Sequence, residues 1–346
     1  MAYTTINKST ANFNTKLYTG NAGTNAQTGV GFKPDWVWLK QRSGSAASHK
    51  LYDSVRGTTK YIASNNTGAE ATDSNGLTAF GTDGFTVGSS AGTNANNQTY
   101  VAWNWLGANG TASNTTGSIN STVSVNTTSG FSIVKYTATG SNATVGHGLS
   151  SVPKMIIIKD LEDSGGSNWG VYHNSIGNTD FLELNSTAAK DTSSGLWNNT
   201  TPTSSVFSIG TNSRVNNSGN DFIAYCFAEK QGYSKFGSYI GNGNNGNGTF
   251  VYTGFKPAFV MVKKSSATNN WVMTDNKRDS FNDSATNYLL ANDNSAEGTG
   301  LNFDLLSNGF KLKSNSGGTN TSGATYIYMA FGQSIVGTNN VPATAK

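Results

Sequence analysis

Three histidines, His49, His147 and His173, are the side chains best suited to acid–base work or metal binding near neutral pH. No two of them stand at the i, i+4 spacing that would put two ligands on one helix face. Carboxylates are scarce. Asp160, Glu162 and Asp163 share one stretch, and Asp275, Asp279 and Asp283 share another. Glycoside hydrolysis needs two carboxylates flanking one sugar ring, and neither group recurs elsewhere in the chain. Calcium would need six to eight oxygens, and neither 160–163 nor 293–297 follows the spacing of a calcium loop. No Gly-x-Ser-x-Gly elbow supports a serine nucleophile. The glycine-rich run Gly241 to Gly248 is not followed by the Lys-Ser/Thr of a phosphate-binding loop. The single cysteine, Cys226, lies in the apolar run Phe222 to Phe227 and is expected to be buried and inert. Indole faces can stack on sugars, and Trp36 with Trp38, and Trp103 with Trp105, each share one strand face. They are the candidate glycan-stacking residues.

The elements that carry these residues repeat. Gly31-Phe32-Lys33-Pro34-Asp35-Trp36-Val37-Trp38-Leu39-Lys40 is matched by Val152-Pro153-Lys154-Met155-Ile156-Ile157-Ile158-Lys159 and by Gly254-Phe255-Lys256-Pro257-Ala258-Phe259-Val260-Met261-Val262-Lys263. In each, proline precedes an apolar run, and lysine stands at the sixth position after it. Proline lacks an N–H and suits a strand's start. Apolar residues at successive positions predict strands covered on both faces. A block around Phe85, Phe207 and Phe310 follows, and then Tyr100 to Trp105, Phe222 to Phe227 and Tyr326 to Phe331. Each repeat opens on a short aromatic strand, near Leu17, Ile133 and Tyr239, and has a middle strand ending at Asp53, His173 and Asp275.

This alignment bears on the candidates. The tryptophan pairs of the first repeat correspond to Met155 and Ile157, Tyr225 and Phe227, Phe259 and Met261, and Met329 and Phe331. Positions that accept any large apolar side chain favour packing. His173 corresponds to Asp53 and Asp275, which predicts a solvent-facing or turn-capping residue at a strand end. His147, flanked by glycines, is expected in a loop.

The strand count and spacing predict an all-β protein of three tandem antiparallel β-sandwich domains, jelly-roll or laminin-G-like, at 1–112, 113–234 and 235–346. The second unit includes a linker within Gly107 to Thr128, of which 119–125 is a candidate edge strand. The short join at 229–234 predicts semi-rigid units in a rod or a compact cluster. Only 12% of the chain is charged, against about 25% in ordinary domains. The net charge of +4 is not gathered into a basic cluster, so no nucleic-acid partner is expected. No run of about 18 apolar residues predicts a transmembrane helix, and no apolar stretch near the N-terminus predicts a secretory signal. No cofactor is expected. Asn-x-Ser/Thr sequons, as at Asn114, arise from composition.

The sequence resembles a family of phage structural proteins, of tail-fibre or virion-associated type, often from marine or cyanobacterial phages. The resemblance lies in Met1-Ala2-Tyr3-Thr4-Thr5-Ile6-Asn7 with Tyr18-Thr19-Gly20, in Gly31 to Lys40, and in Leu51-Tyr52-Asp53-Ser54-Val55-Arg56. It continues through Gly130 to Tyr136, Val145-Gly146-His147-Gly148-Leu149, Phe250 to Pro257 and Asn320 to Phe331. It implies a non-enzymatic structural protein of the virion, a tail-fibre component or capsid decoration, made in the host cytoplasm. It also implies homo-oligomers, with a trimer as the plausible count, and other virion proteins as partners. The alternative expectation is an adhesin that binds a host surface glycan.

Overall fold

The computed structural model describes residues 4–334, apart from 164, 280, 281, 283 and 284. The fold is all-β and built of antiparallel sheets. One strand series occurs three times. The opening strands are Phe13–Thr19, Phe131–Thr137 and Ser234–Ile240. The proline-led segments form Trp36–Gln41, Pro153–Asp160 and Phe255–Lys264. The middle strands are Lys50–Asp53, Gly170–His173 and Trp271–Asp275. The closing strands are Thr99–Trp105, Asp221–Ala228 and Thr325–Ser334. In each repeat the lateral order is opening, closing, proline-led, middle. A smaller sheet accompanies each, built around Gly84–Val87, Val206–Ile209 and Gly309–Leu312.

Strand periodicity sends alternate residues of the proline-led strands to opposite faces. Val37 and Leu39 pack with Phe85 and Val87 of the small sheet in the first repeat. Ile156 and Ile158 pack with Phe207 and Ile209 in the second, and Val260 and Val262 with Phe310 and Leu312 in the third. The opposite faces carry Trp36 and Trp38, Met155 and Ile157, and Phe259 and Met261, and all six belong to one further core shared by the three repeats. The arrangement is therefore a compact cluster about common apolar contacts, not a rod. At roughly 25 cal/mol per Å² of apolar surface, this shared burial is what offsets the loss of freedom between repeats.

The segment expected as a linker is largely structured. Ala112–Asn114 pairs with Ser121–Asn126, which pairs in turn with the opening strand of the second repeat. Val123 is buried, Val125 packs against the second repeat's core, and Ile119 bridges Val145. The expected boundary at 112/113 thus falls at the start of a strand belonging to the second repeat's sheet. Among the described residues, regular helix is confined to single turns such as Ser213–Asn216.

Candidate functional site

Many of the polar side chains that the sequence singles out lie where the repeats meet. Three elements build each meeting point: the middle strand, the turn after it, and the closing strand of a neighbouring repeat. The contacts close into a ring, first to second, second to third, third to first. Trp169 Nε1 donates to the Ala63 carbonyl at 3.1 Å, Trp271 Nε1 to the Glu183 carbonyl at 2.8 Å, and His49 Nε2 to the Leu290 carbonyl at 3.0 Å. These donors occupy one aligned position, and so do the acceptors. Two backbone hydrogen bonds repeat at each meeting point. Ser167 N donates to Thr67 O, Asn269 N to Thr187 O and Ala47 N to Asn294 O. Glu70 N donates to Leu161 O, Lys190 N to Ser265 O and Glu297 N to Arg42 O.

The lysines at the sixth position after proline, Lys40, Lys159 and Lys263, are all buried. Lys40 Nζ donates to the carbonyls of Gln41, Ala47 and Asn294, the last from the third repeat. Lys263 Nζ donates to the carbonyls of Asn269 and of Thr187 in the second repeat. Lys159 Nζ donates to the Asp160 carbonyl at 2.7 Å. Burial lowers each ammonium from its usual 10.5 to about 8. The lysine was legible in the sequence, but the work of Lys40 and Lys263 in tying repeats together was not.

The ends of the middle strands form the most polar nodes. Asp53 Oδ1 accepts from the backbone N–H of Val55 and Arg56, and Oδ2 accepts from Arg56 Nε at 2.5 Å. Tyr225 of the second repeat donates its hydroxyl to Asp53 Oδ2 at 2.8 Å. Arg56 also reaches Glu70 at 3.2 Å and the Leu51 carbonyl at 2.9 Å. The third repeat reproduces this node. Asp275 Oδ1 accepts from Lys277 and Arg278 N–H, Oδ2 accepts from Arg278 Nε at 2.6 Å, and Trp103 Nε1 of the first repeat donates to it at 3.0 Å. Arg278 also pairs with Glu297 at 3.0 Å. In the second repeat the three positions hold His173, Ile176 and Lys190. Sequence reasoning missed the pairing. The signal was Asp-x-x-Arg recurring at 53–56 and 275–278, with His-x-x-Ile between.

His173 is fully buried, which corrects the solvent-facing expectation; the turn-capping one describes it, since Nδ1 accepts from Ser175 N–H at 3.2 Å. An N–H donor at Nδ1 places the proton on Nε2, which donates to the Tyr328 carbonyl at 3.2 Å. His49 accepts from Trp38 Nε1 at Nδ1, and His147 accepts from Leu149 N–H while Nε2 faces the Thr203 carbonyl. All three rings therefore hold the neutral Nε2–H form. Burial lowers them from 6.5, His49 to about 3 and His147 and His173 to about 4.

Trp36, Trp38, Trp103 and Trp105 are at most 1% exposed, so the glycan-stacking expectation is corrected: no sugar can reach their faces. Trp36 instead stacks on Tyr225 of the second repeat at 4.3 Å, and Trp105 meets Phe259 of the third edge-on at 6.0 Å. Asp160 is buried and its Oδ1 caps the turn through Glu162 and Asp163 N–H. Asp275 serves the node above, and Asp283 lies outside the described residues. Among the described residues, no three His, Cys, Asp or Glu side chains are arranged to hold a metal ion. Cys226 is buried, and burial pushes its thiol well up. No helix among the described residues is long and apolar enough to cross a membrane.

Fold and site define an all-β repeat protein in which ionisable groups fasten one repeat to the next. Residues 8–334 match the model of a family described as a domain of unknown function, DUF7483, and the chain belongs to that family. No curated protein matches the sequence.

Proposed function

We propose that this chain is a non-enzymatic structural protein of a bacteriophage virion, a tail-fibre component or capsid decoration, built as three β-sandwich domains. One observation carries the reading: most of the conspicuous ionisable and aromatic side chains are committed to the contacts between repeats. Histidines, lysines and Asp–Arg pairs whose hydrogen-bonding capacity is spent on neighbouring backbone and rings are suited to holding shape rather than to turning over a substrate. The likeness to phage structural proteins set out above supplies the particle. Each large sheet facing its small sheet supports the sandwich reading, and the ring of equivalent contacts explains how one chain holds three such units together. Threefold arrangement is then provided within one chain, and a homotrimer would stack three such clusters.

The test is mass spectrometry of purified particles with copy-number counting, joined to immunogold labelling. Few copies at the tail tip support a fibre component, and hundreds over the shell support decoration. Absence from purified particles made by a host expressing the gene overturns the reading.

A further inference from the structure

An aligned position in the three repeats holds an aromatic ring: Tyr61, Phe181 and Tyr288. In the first repeat Lys50 Nζ lies 3.1 Å from the centre of the Tyr61 ring. In the second, the Arg214 guanidinium lies 4.8 Å from the centre of the Phe181 ring. The two cations come from different strands of the alignment. Lys50 corresponds to Gly170 and Val272, while Arg214 corresponds to Gly92 and Gly318. In each filled repeat one position is the long cation and the other is glycine, and in the first repeat the glycine leaves room for the cation. A Cβ on Gly92 would stand 3.1 Å from Lys50 Cε, and one on Gly170 would stand 3.9 Å from Arg214 Cδ.

The third repeat has valine at one position and glycine at the other. Among the described residues no cation lies over Tyr288. In its place is a surface pocket of roughly 230 Å³, lined by Asn269, Asn270, Val272, Tyr288, Thr299 and Gly318 among others. The Tyr288 ring lies against Gly298, at which a Cβ would fall within about 3 Å of the ring. The lining has no charged side chain. The first repeat shows that none is needed: alanine, Ala63, stands there where the second repeat has Glu183, the ion-pair partner of Arg214.

We propose that the Tyr288 pocket binds an ammonium or guanidinium group from outside the chain, over the ring that the other two repeats cover with a cation of their own. The ring quadrupole attracts the cation, and the Thr299 hydroxyl accepts its N–H groups together with the second lone pairs of the Asn269 and Asn270 side-chain oxygens, which already accept from Asn270 N–H and Asn292 Nδ2. The group comes either from a small amine or guanidine or from a lysine or arginine side chain of another protein. This inference is independent of the virion assignment.

The test uses the full chain labelled for NMR. It is titrated with n-butylammonium, with ethylguanidinium, with blocked peptides containing one lysine or arginine, and with methyl glycosides. The expected result is saturable shifts of the Tyr288 ring and the Asn269 and Asn270 side-chain amides, with millimolar affinity for the cations. Tyr288→Leu should weaken binding about five- to tenfold. Val272→Lys, which copies the first repeat, should abolish it while leaving the rest of the spectrum intact. Tighter binding of the peptides than of the free cations assigns the group to a protein partner, and equal binding assigns it to a small molecule. Three results overturn the proposal: no saturable shift with any cation, unchanged cation binding in Val272→Lys, or response to the glycosides alone. If Val272→Lys fails to fold, unchanged cation binding in Tyr288→Leu overturns it by itself.

Discussion

At two of the three meeting points the node at the end of the middle strand is ionic and at one it is neutral, and the neighbour's side chain accounts for which. Asp53 faces the Tyr225 hydroxyl and Asp275 faces the Trp103 N–H. Both neighbours donate a hydrogen bond, so each carboxylate has a partner across the boundary and an arginine beside it. At the third point the aligned neighbour is Met329, which has no N–H or O–H to offer. A carboxylate there would be buried with one acceptor idle, at a cost of several kcal/mol. The position holds His173 instead, turned to the Tyr328 carbonyl, and the arginine becomes Ile176. Lys190, in place of the glutamate, pairs with Asp180 within its own repeat. The same backbone frame thus tolerates an ionic or a neutral filling, provided that both sides of the boundary change together.

The largest effect should come from breaking a charged node on one side. Arg278→Met leaves Asp275 buried without its cation and should cost about 3–5 kcal/mol in urea unfolding. Ile176→Met at the neutral node should cost under about 1.5 kcal/mol. Similar losses for the two would end the distinction between them.

Acid should act on the neutral node next. Folded His173 titrates near 4, while an unfolded histidine titrates near 6.5. Between those pH values the unfolded chain binds more protons, so stability is full above 6.5 and falls as pH drops toward 4. The share of His173 is at most about 1.4 kcal/mol per pH unit, or roughly 2–3 kcal/mol across the window. His173→Asn keeps a side-chain acceptor for Ser175 N–H and should flatten the unfolding midpoint over that range by this share. His49 and His147 retain theirs.

A third comparison lies within the tryptophans. Trp103→Phe removes the indole donor to Asp275 and should cost about 1.5–3 kcal/mol, because hydrogen bonds to charged groups are worth more. Trp105→Phe should cost less, under about 1.5 kcal/mol. The Trp105 indole N–H is buried without an acceptor among the described residues, so phenylalanine gives up area but relieves an unpaired donor. Thermal unfolding of the two variants side by side checks the order.

Much of the frame was readable from residue types alone. Proline followed by an apolar run with lysine at the sixth position marks a strand start, and apolar residues at successive positions within the run required both faces to be covered. Asp35 to Lys40 behaves that way, with Val37 and Leu39 on one face and Trp36 and Trp38 on the other. The candidate site was less readable. His173 read as a residue at a strand end, and nothing local says that a third-repeat carbonyl closes over it. The tryptophans could be ranked as packing by their counterparts, yet the partner faces belonged to other repeats.

The chain by itself determined the strand series, its threefold recurrence, the lysine at a fixed distance from proline and the lack of clustered charge, because each follows from periodicity and from what one residue type does to its own backbone. The tertiary structure decided which side chains meet. Asp53 and Tyr225 are 172 residues apart, as are Trp103 and Asp275, and such pairs are made only when three sheets press one face each into a common core. Burial there fixes protonation, direction of donation and the choice between aspartate and histidine, since a polar group cut off from water must find its partner in whatever the neighbouring repeat presents.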